Sequence, residues 1–151
     1  LASTGSTLDL GHTNPDHYIG SIEYHGIDPA SGFWQVTGAK VSIDYTIGVS
    51  GFDTVIDSGT TIMYGPPSAV KTFYSKIART KLFDPANGFY SFPCSSVHRV
   101  AFSWGGGKER DVAADNICIA VYGTSDSFNL GLGTNVWLLG DRYVNLICMI
   151  F

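Results

Sequence analysis

Charge is scarce in this sequence: Asp, Glu, Lys and Arg make up 15% of 151 residues and sum to −4, with a pI near 5.3. The nine Lys and Arg are scattered, so no basic face is available to a phosphate backbone and nucleic acid is excluded as a partner. A membrane surface is disfavoured on the same ground. Long hydrophobic runs are missing too; none approaches the ~20 residues that a spanning helix needs. Leu1-Ala2-Ser3-Thr4-Gly5 shows no basic region followed by an apolar stretch, so any signal segment is expected to have been removed already. A starting Met is lacking, which points to a processed or excised piece of a longer precursor. Repeats and low-complexity tracts are absent. No Asn-x-Ser/Thr acceptor occurs, which removes one independent mark of secretion.

What is there suits a single β-rich domain: 44% hydrophobic residues are enough for a real core, and 18 Gly fit strands joined by tight turns. Tyr18–Tyr24 alternates like a half-exposed strand, and Gly26 to Gly32 reads as a turn. Phe33-Trp34-Gln35-Val36 and Val41-Ser42-Ile43-Asp44-Tyr45 read as successive strands broken in hairpin fashion at Thr37-Gly38. Thr54-Val55-Ile56 and Thr60 to Tyr64 are extended pieces on either side of a tight turn. A helix is expected from Pro66-Pro67 to about Lys81 or Leu82, with Val70, Phe73, Tyr74 and Ile77 on one face and Lys71, Lys76 and Arg79 facing water. Further strands are expected at Val97–Trp104, Asn116–Tyr122, Val136–Asp141 and Tyr143–Phe151, with a hairpin tip at Gly105-Gly106-Gly107 and a loop over Gly123–Gly133.

Cys94 and Cys118 bracket one loop, and two readings of them stand: a bridge worth about 3 kcal/mol in an oxidising compartment, or buried thiols. Cys148, in an apolar run, reads as a small buried hydrophobe. His12, His17 and His25 have spacings that fit no helix face and lack Cys or acidic companions, so they read as solvated loop residues and no metal is expected. Gly105-Gly106-Gly107 is followed by no Lys-Ser/Thr pair and so is no phosphate cradle.

Asp57-Ser58-Gly59-Thr60-Thr61 carries the chemistry. A β-branched run fixes the strand before Asp57, Gly59 permits close approach of a neighbour, and Ser58 and Thr60 supply hydroxyls for a carboxylate. Asp53 lies four residues away along an extended strand, too far to share a proton with Asp57.

Taken with the stretches around it, this turn resembles the second active-site segment of the pepsin-like aspartic endopeptidases. Tyr18-Ile19-Gly20-Ser21-Ile22 is similar to the family's Tyr-x-Gly-x-Ile segment, and Phe33-Trp34-Gln35 to its aromatic-Trp-Gln strand. Val55-Ile56-Asp57-Ser58-Gly59-Thr60-Thr61, with Tyr64-Gly65-Pro66 after it, matches the active-site segment and the Gly-Pro that opens a helix. Trp137-Leu138-Leu139-Gly140 matches the hydrophobic-hydrophobic-Gly strand that threads beside the catalytic loop. The resemblance covers essentially all of residues 1–151 and implies an all-β fold, the C-terminal lobe of the bilobal acid protease, with one or two short helices. The N-terminal lobe and the closing Ile-Gly-[Phe/Leu]-Ala strand are expected to be absent.

The resemblance implies site roles position by position. Asp57 is expected to be one of two catalytic carboxylates, the other coming from an N-terminal lobe chain. Ser58 is expected to cross-link the two active-site loops, Gly59 to present its backbone to the substrate, and Thr60 to bond the outer carboxylate oxygen. Thr61 is expected to touch bound peptide, and Val55, Phe33 and Leu138 to line the pocket just past the scissile bond. Cys94 and Cys118 fall where this lobe commonly carries its disulfide. The implied reaction is hydrolysis of peptide bonds by a water held between two carboxylates, with no cofactor and no metal. Aspartic proteases are the standard example of such a coupled pair. The partners implied are peptide or protein substrates and the missing lobe, and the location implied is secretion, with the vacuole or lysosome as alternative. A pepsin-like protein that has lost catalysis and acts by binding or inhibition is the competing reading. A symmetric homodimer of the retroviral-protease type is opposed by the length of the chain.

Overall fold

The computed structural model describes residues 10–86, 88–96, 99–112, 122–123 and 134–140, with only the backbone of Cys94 and of 122–123. Strands β1 (Gln35–Ile43) and β2 (Thr46–Ile56) form an antiparallel hairpin closed by Asp44 and Tyr45. These two residues have φ of 46° and 68°, the positive values that a two-residue turn needs to match the right-handed twist of its strands. Asp44 is held there from both sides: its N–H donates to Arg99 O, and its Oδ1 accepts from Arg99 N–H, each at 2.9 Å. The expected strand Val41–Tyr45 is therefore a strand that ends at Ile43 and a turn after it.

The expected break at Thr37-Gly38 is a bulge within one continuous strand. The β1–β2 register slips between Val36 and Ala39, and Gly38 sits at φ 72°, a conformation that glycine adopts without strain. On the other side of β1 lies β6 (Val100–Trp104), which pairs in turn with β7 (Arg110–Val112) across the expected Gly105–Gly107 tip. Beyond β2, strand β9 (Val136–Leu139) runs parallel to it; β3 (Tyr64–Gly65) pairs with β9 and with β8 (Tyr122–Gly123). Among the described residues this gives one seven-stranded sheet in the order β7-β6-β1-β2-β9-β3-β8, plus a ribbon of β4 (Lys81–Asp84) and β5 (Phe89–Ser91).

Helix α1 spans Pro67–Ser75 and buries Val70, Phe73 and Tyr74 along the face the spacing predicts. It stops earlier than expected because Lys76 and Ile77 donate their N–H groups only three residues back, to Phe73 O and Tyr74 O, tightening the last turn. Arg79, at φ 61°, then reverses the chain so that Lys81 enters β4 opposite Ser91. Tyr18–Tyr24 forms no strand. Glu23 there instead accepts Lys108 N–H and the Arg110 guanidinium, docking the segment on the β6–β7 hairpin. The expected strands at Asn116–Tyr122, apart from Tyr122 itself, and at Tyr143–Phe151 lie outside the described residues. So do Cys118 and Cys148, and with them the Cys94–Cys118 pairing. The fold is all-β with one α-helix and two 3₁₀ turns among the described residues, as expected.

Between the sheet and α1 the core closes around Trp137, which is wholly buried against Phe52, Phe73 and Phe102 at ring separations of 5.1, 6.3 and 6.3 Å. Gly65 makes room for it: a methyl there would lie 2.8 Å from two atoms of the indole ring. At the far edge of the sheet Arg99 binds Glu109 at 2.6 Å and also pairs with Asp111, with its guanidinium 4.5 Å from the Tyr45 ring centre. Ser42 donates to Glu109 at 2.9 Å. This knot joins the β1–β2 turn to β6 and β7.

Candidate active site

Strand alternation sorts β2 into two faces. Phe52, Thr54 and Ile56 look into the core, where Thr54 Oγ1 accepts Trp104 Nε1–H at 2.8 Å. Asp53, Val55 and Asp57 look the other way. In β9, Trp137 and Leu139 join the core, and Leu138, in register with Val55, takes the opposite face. Val55 and Leu138 are nonetheless 2% and 4% exposed, so they make a buried apolar layer beside Asp57.

At the end of β2, Asp57 N–H donates to Leu139 O at 3.0 Å, the last rung between β2 and β9. The chain then turns sharply. Gly59 N–H donates to Asp57 Oδ1 at 2.8 Å, and the Thr60 hydroxyl donates to Oδ2. With an acceptor bond on each oxygen the plane of the carboxylate is fixed. Ser58, Gly59 and Thr61 are exposed around it. Behind the turn, a methyl on Gly140 would fall between the carbonyl oxygens of Thr60 and Ile62, so the end of β9 passes close under the loop only as glycine. The Asp57 turn, Gly140, Val55 and Leu138 therefore lie together at this end of the sheet.

Phe33 and Trp34 precede β1 at the same end of the sheet. Ile56 N–H donates to Trp34 O at 3.1 Å and Gln35 N–H to Phe33 O at 2.8 Å, so the three residues Phe33-Trp34-Gln35 make a tight turn next to the residue before Asp57. Phe33 is 39% exposed. Local sequence pattern assigns Asp53, Gln35 and Gly38 no part in the site. They form a hydrogen-bonded group on the Val55 face, Gln35 Nε2 and Gly38 N–H both donating to the Asp53 carboxylate at 3.1 and 3.3 Å. The available signal was Gly38 itself, since a lone glycine within a strand pattern marks a bulge. No group of three or more His, Cys, Asp or Glu among the described residues is placed to hold a metal ion. His25 pairs with Glu23 at 2.9 Å and tilts against Trp104.

The chain is similar to an aspartic protease of Phaffia rhodozyma, 32% identical over 160 residues that take in 100% of this chain and 39% of that protein. Endothiapepsin of Cryphonectria parasitica is 28% identical over 158 residues, covering 96% of the chain and 36% of its own length. Secreted aspartyl protease 1 of Malassezia globosa is 24% identical over 157 residues, 98% of the chain and 37% of that protein. The chain thus spans about two fifths of the length of these relatives. The sequence model for the eukaryotic aspartyl protease family matches residues 1–151 from end to end, and the chain belongs to that family.

Proposed function

We propose that residues 1–151 are the C-terminal lobe of an aspartic endopeptidase whose active centre is completed by an N-terminal lobe. One observation carries this reading: Asp57 stands at the mouth of a tight turn with both carboxylate oxygens held, by Gly59 N–H and by the Thr60 hydroxyl, beside a buried apolar layer. An orienting hydroxyl and amide leave the carboxylate edge directed at a water and at a second aspartate from the other lobe. Close carboxylates cannot both ionise freely, so the pair keeps one proton and offers a base and an acid together. The base takes a proton from water as its oxygen attacks the peptide carbonyl carbon, and the acid gives its proton to the carbonyl oxygen. Collapse of the tetrahedral species expels the amine, which leaves with a proton from the dyad.

In this reading exposed Ser58 reaches the partner loop, Gly59 lends backbone to the substrate, and Thr61 touches bound peptide. Val55 and Leu138 form the floor, and Phe33 the wall, of the pocket past the scissile bond. A disulfide between Cys94 and Cys118 and secretion belong to the same proposal; that the Malassezia relative is a secreted aspartyl protease supports secretion, with vacuole or lysosome as the alternative. The test is cleavage of an unfolded protein at acidic pH by the full-length protein and by its Asp57→Asn variant. The variant is expected to lose roughly three orders of magnitude in kcat/KM while its circular dichroism is unchanged. Retention of parental activity by Asp57→Asn refutes the assignment. A parent that holds peptides without cutting them establishes the binding-protein alternative.

A further inference from the structure

Asp53 lies on the same face of β2 as Asp57 but takes no part in its turn, and both of its carboxylate oxygens are committed to β1. Oδ1 accepts Gly38 N–H at 3.3 Å and Oδ2 accepts Gln35 Nε2 at 3.1 Å. Gly38 is the left-handed residue of the bulge, where the extra residue disrupts the ladder, so Asp53 supplies the acceptor that the strand pairing does not. Gln35 is buried, in register with Val55, and its amide finds its acceptor in Asp53. The same Gln35 ends the three-residue turn that carries Phe33: its N–H closes the turn on Phe33 O, and its carbonyl accepts Asp28 N–H at 2.9 Å. Two bonds also reach the residue that leads into β9, since Asp53 N–H donates to the Asn135 carbonyl at 3.0 Å and the Asn135 side-chain Nδ2 donates to Gly51 O at 2.8 Å. One residue therefore ties the bulge, the start of the β2–β9 pairing and the base of the Phe33 turn.

Resting on the reading that Asp57 is catalytic and that Phe33 meets the substrate, we propose that Asp53 is a positioning residue that acts through Gln35 to hold the Phe33 wall in place. Asp53 thereby sets the preference for a bulky apolar side chain at that subsite. A side chain that stacks on a fixed aromatic wall gains contact that a small one does not, and a wall free to swing loses that discrimination first. Binding of the large substrate then suffers more than the chemical step, because the Asp57 turn keeps its own bonds to Gly59, Thr60 and Leu139.

The test uses the full-length protein and two peptides that differ only at the residue reaching Phe33, Phe in one and Ala in the other. Asp53→Ala is expected to lower the Phe-over-Ala ratio of kcat/KM by roughly tenfold, the scale on which apolar pockets discriminate. The loss is expected in KM of the Phe peptide, with kcat moving by less than about threefold. Asp53→Asn keeps an acceptor for Gly38 and, with the Gln35 amide turned over, a bond to Gln35, so it is expected to restore the parental ratio. Gln35→Ala leaves the Gly38 bond in place and should reproduce the Asp53→Ala shift, which keeps the proposal open to test where Asp53→Ala does not fold. Equal losses on both peptides, or a parental ratio in Gln35→Ala, overturn the role given to Asp53. A parent inactive on both peptides overturns the peptidase reading instead.

Discussion

Replacing Gly140 by alanine adds one methyl at the point where the end of β9 passes under the Asp57 loop. The new carbon meets the carbonyl oxygens of Thr60 and Ile62, and the Thr60 carbonyl carbon lies 2.9 Å away. All three obstacles are main chain, so no side chain can rotate aside; the strand and the loop must separate. Overpacking a rigid site costs about 1–3 kcal/mol, and with backbone on two sides the upper end applies. At that cost a chain of this size should melt about 6–12 °C lower. The same separation moves Thr60, whose hydroxyl holds Asp57 Oδ2, and loosens the Asp57 N–H bond to Leu139 O. Displacement of a catalytic group by about 1 Å lowers rate by about a hundredfold.

Gly65→Ala is the control. Its methyl also collides, but with the Trp137 ring at 2.8 Å, on the core side of the sheet and away from the carboxylate. Both variants should be less stable by thermal unfolding, whereas only Gly140→Ala should lose kcat/KM per folded molecule in the full-length protein. If Gly140→Ala melts within about 1 °C of the parent, against the several degrees that overpacking implies, the close passage of β9 under the loop is wrong. If it melts low but keeps full activity, the passage stands and its hold on Asp57 does not.

Three further outcomes are expected. Thr60→Val keeps the shape and removes the hydroxyl from Asp57 Oδ2; a bond to a charged group is worth about 1.5–3 kcal/mol, so kcat should fall by about 10–100-fold, and Thr60→Ser should recover most of it, in steady-state kinetics of the full-length protein. Glu109 titrates below its ordinary value of 4.5 because Arg99 and then Ser42 bond its carboxylate, outweighing its burial. Its stabilisation is therefore complete above pH 4.5 and fades as the pH falls through the lowered value; Glu109→Gln should flatten that part of the stability curve in urea melts, and an unchanged acid slope would sink the argument. Trp137→Ala should cost about 3–5 kcal/mol in denaturant unfolding, because three aromatic neighbours lose their common partner.

What the sequence disclosed was what local chemistry can write. The helix face at Val70, Phe73 and Tyr74, the Gly105–Gly107 tip and the Asp57 turn each sit within one short window, and all three are in the structure. The structure departs from local expectation where a residue's usual preference is overruled by a distant partner. Asp44 and Tyr45 continue an alternating pattern, yet become a turn because Arg99, far along the chain, binds the Asp44 backbone and side chain. Thr37-Gly38 looks like a hairpin, yet stays in β1 because Asp53 satisfies the bulge amide from the neighbouring strand. The spacing that extends α1 to Lys81 ignores the pairing of Lys81 with Ser91. For the site the same division holds: the Asp57 turn can be read only together with the stretches around it, and its setting depends on β9 lying parallel to β2, which no single window of sequence contains and only the resemblance of Trp137–Gly140 anticipates. That pairing is chosen by burial. Trp137 and Leu139 reach the core only with Leu138 beside Val55, and in that register Gly140 arrives under Thr60. Shifting β9 by one residue would turn Trp137 out of the core and put a side chain where only glycine passes, so the packing of one indole and the placement of one carboxylate are the same constraint.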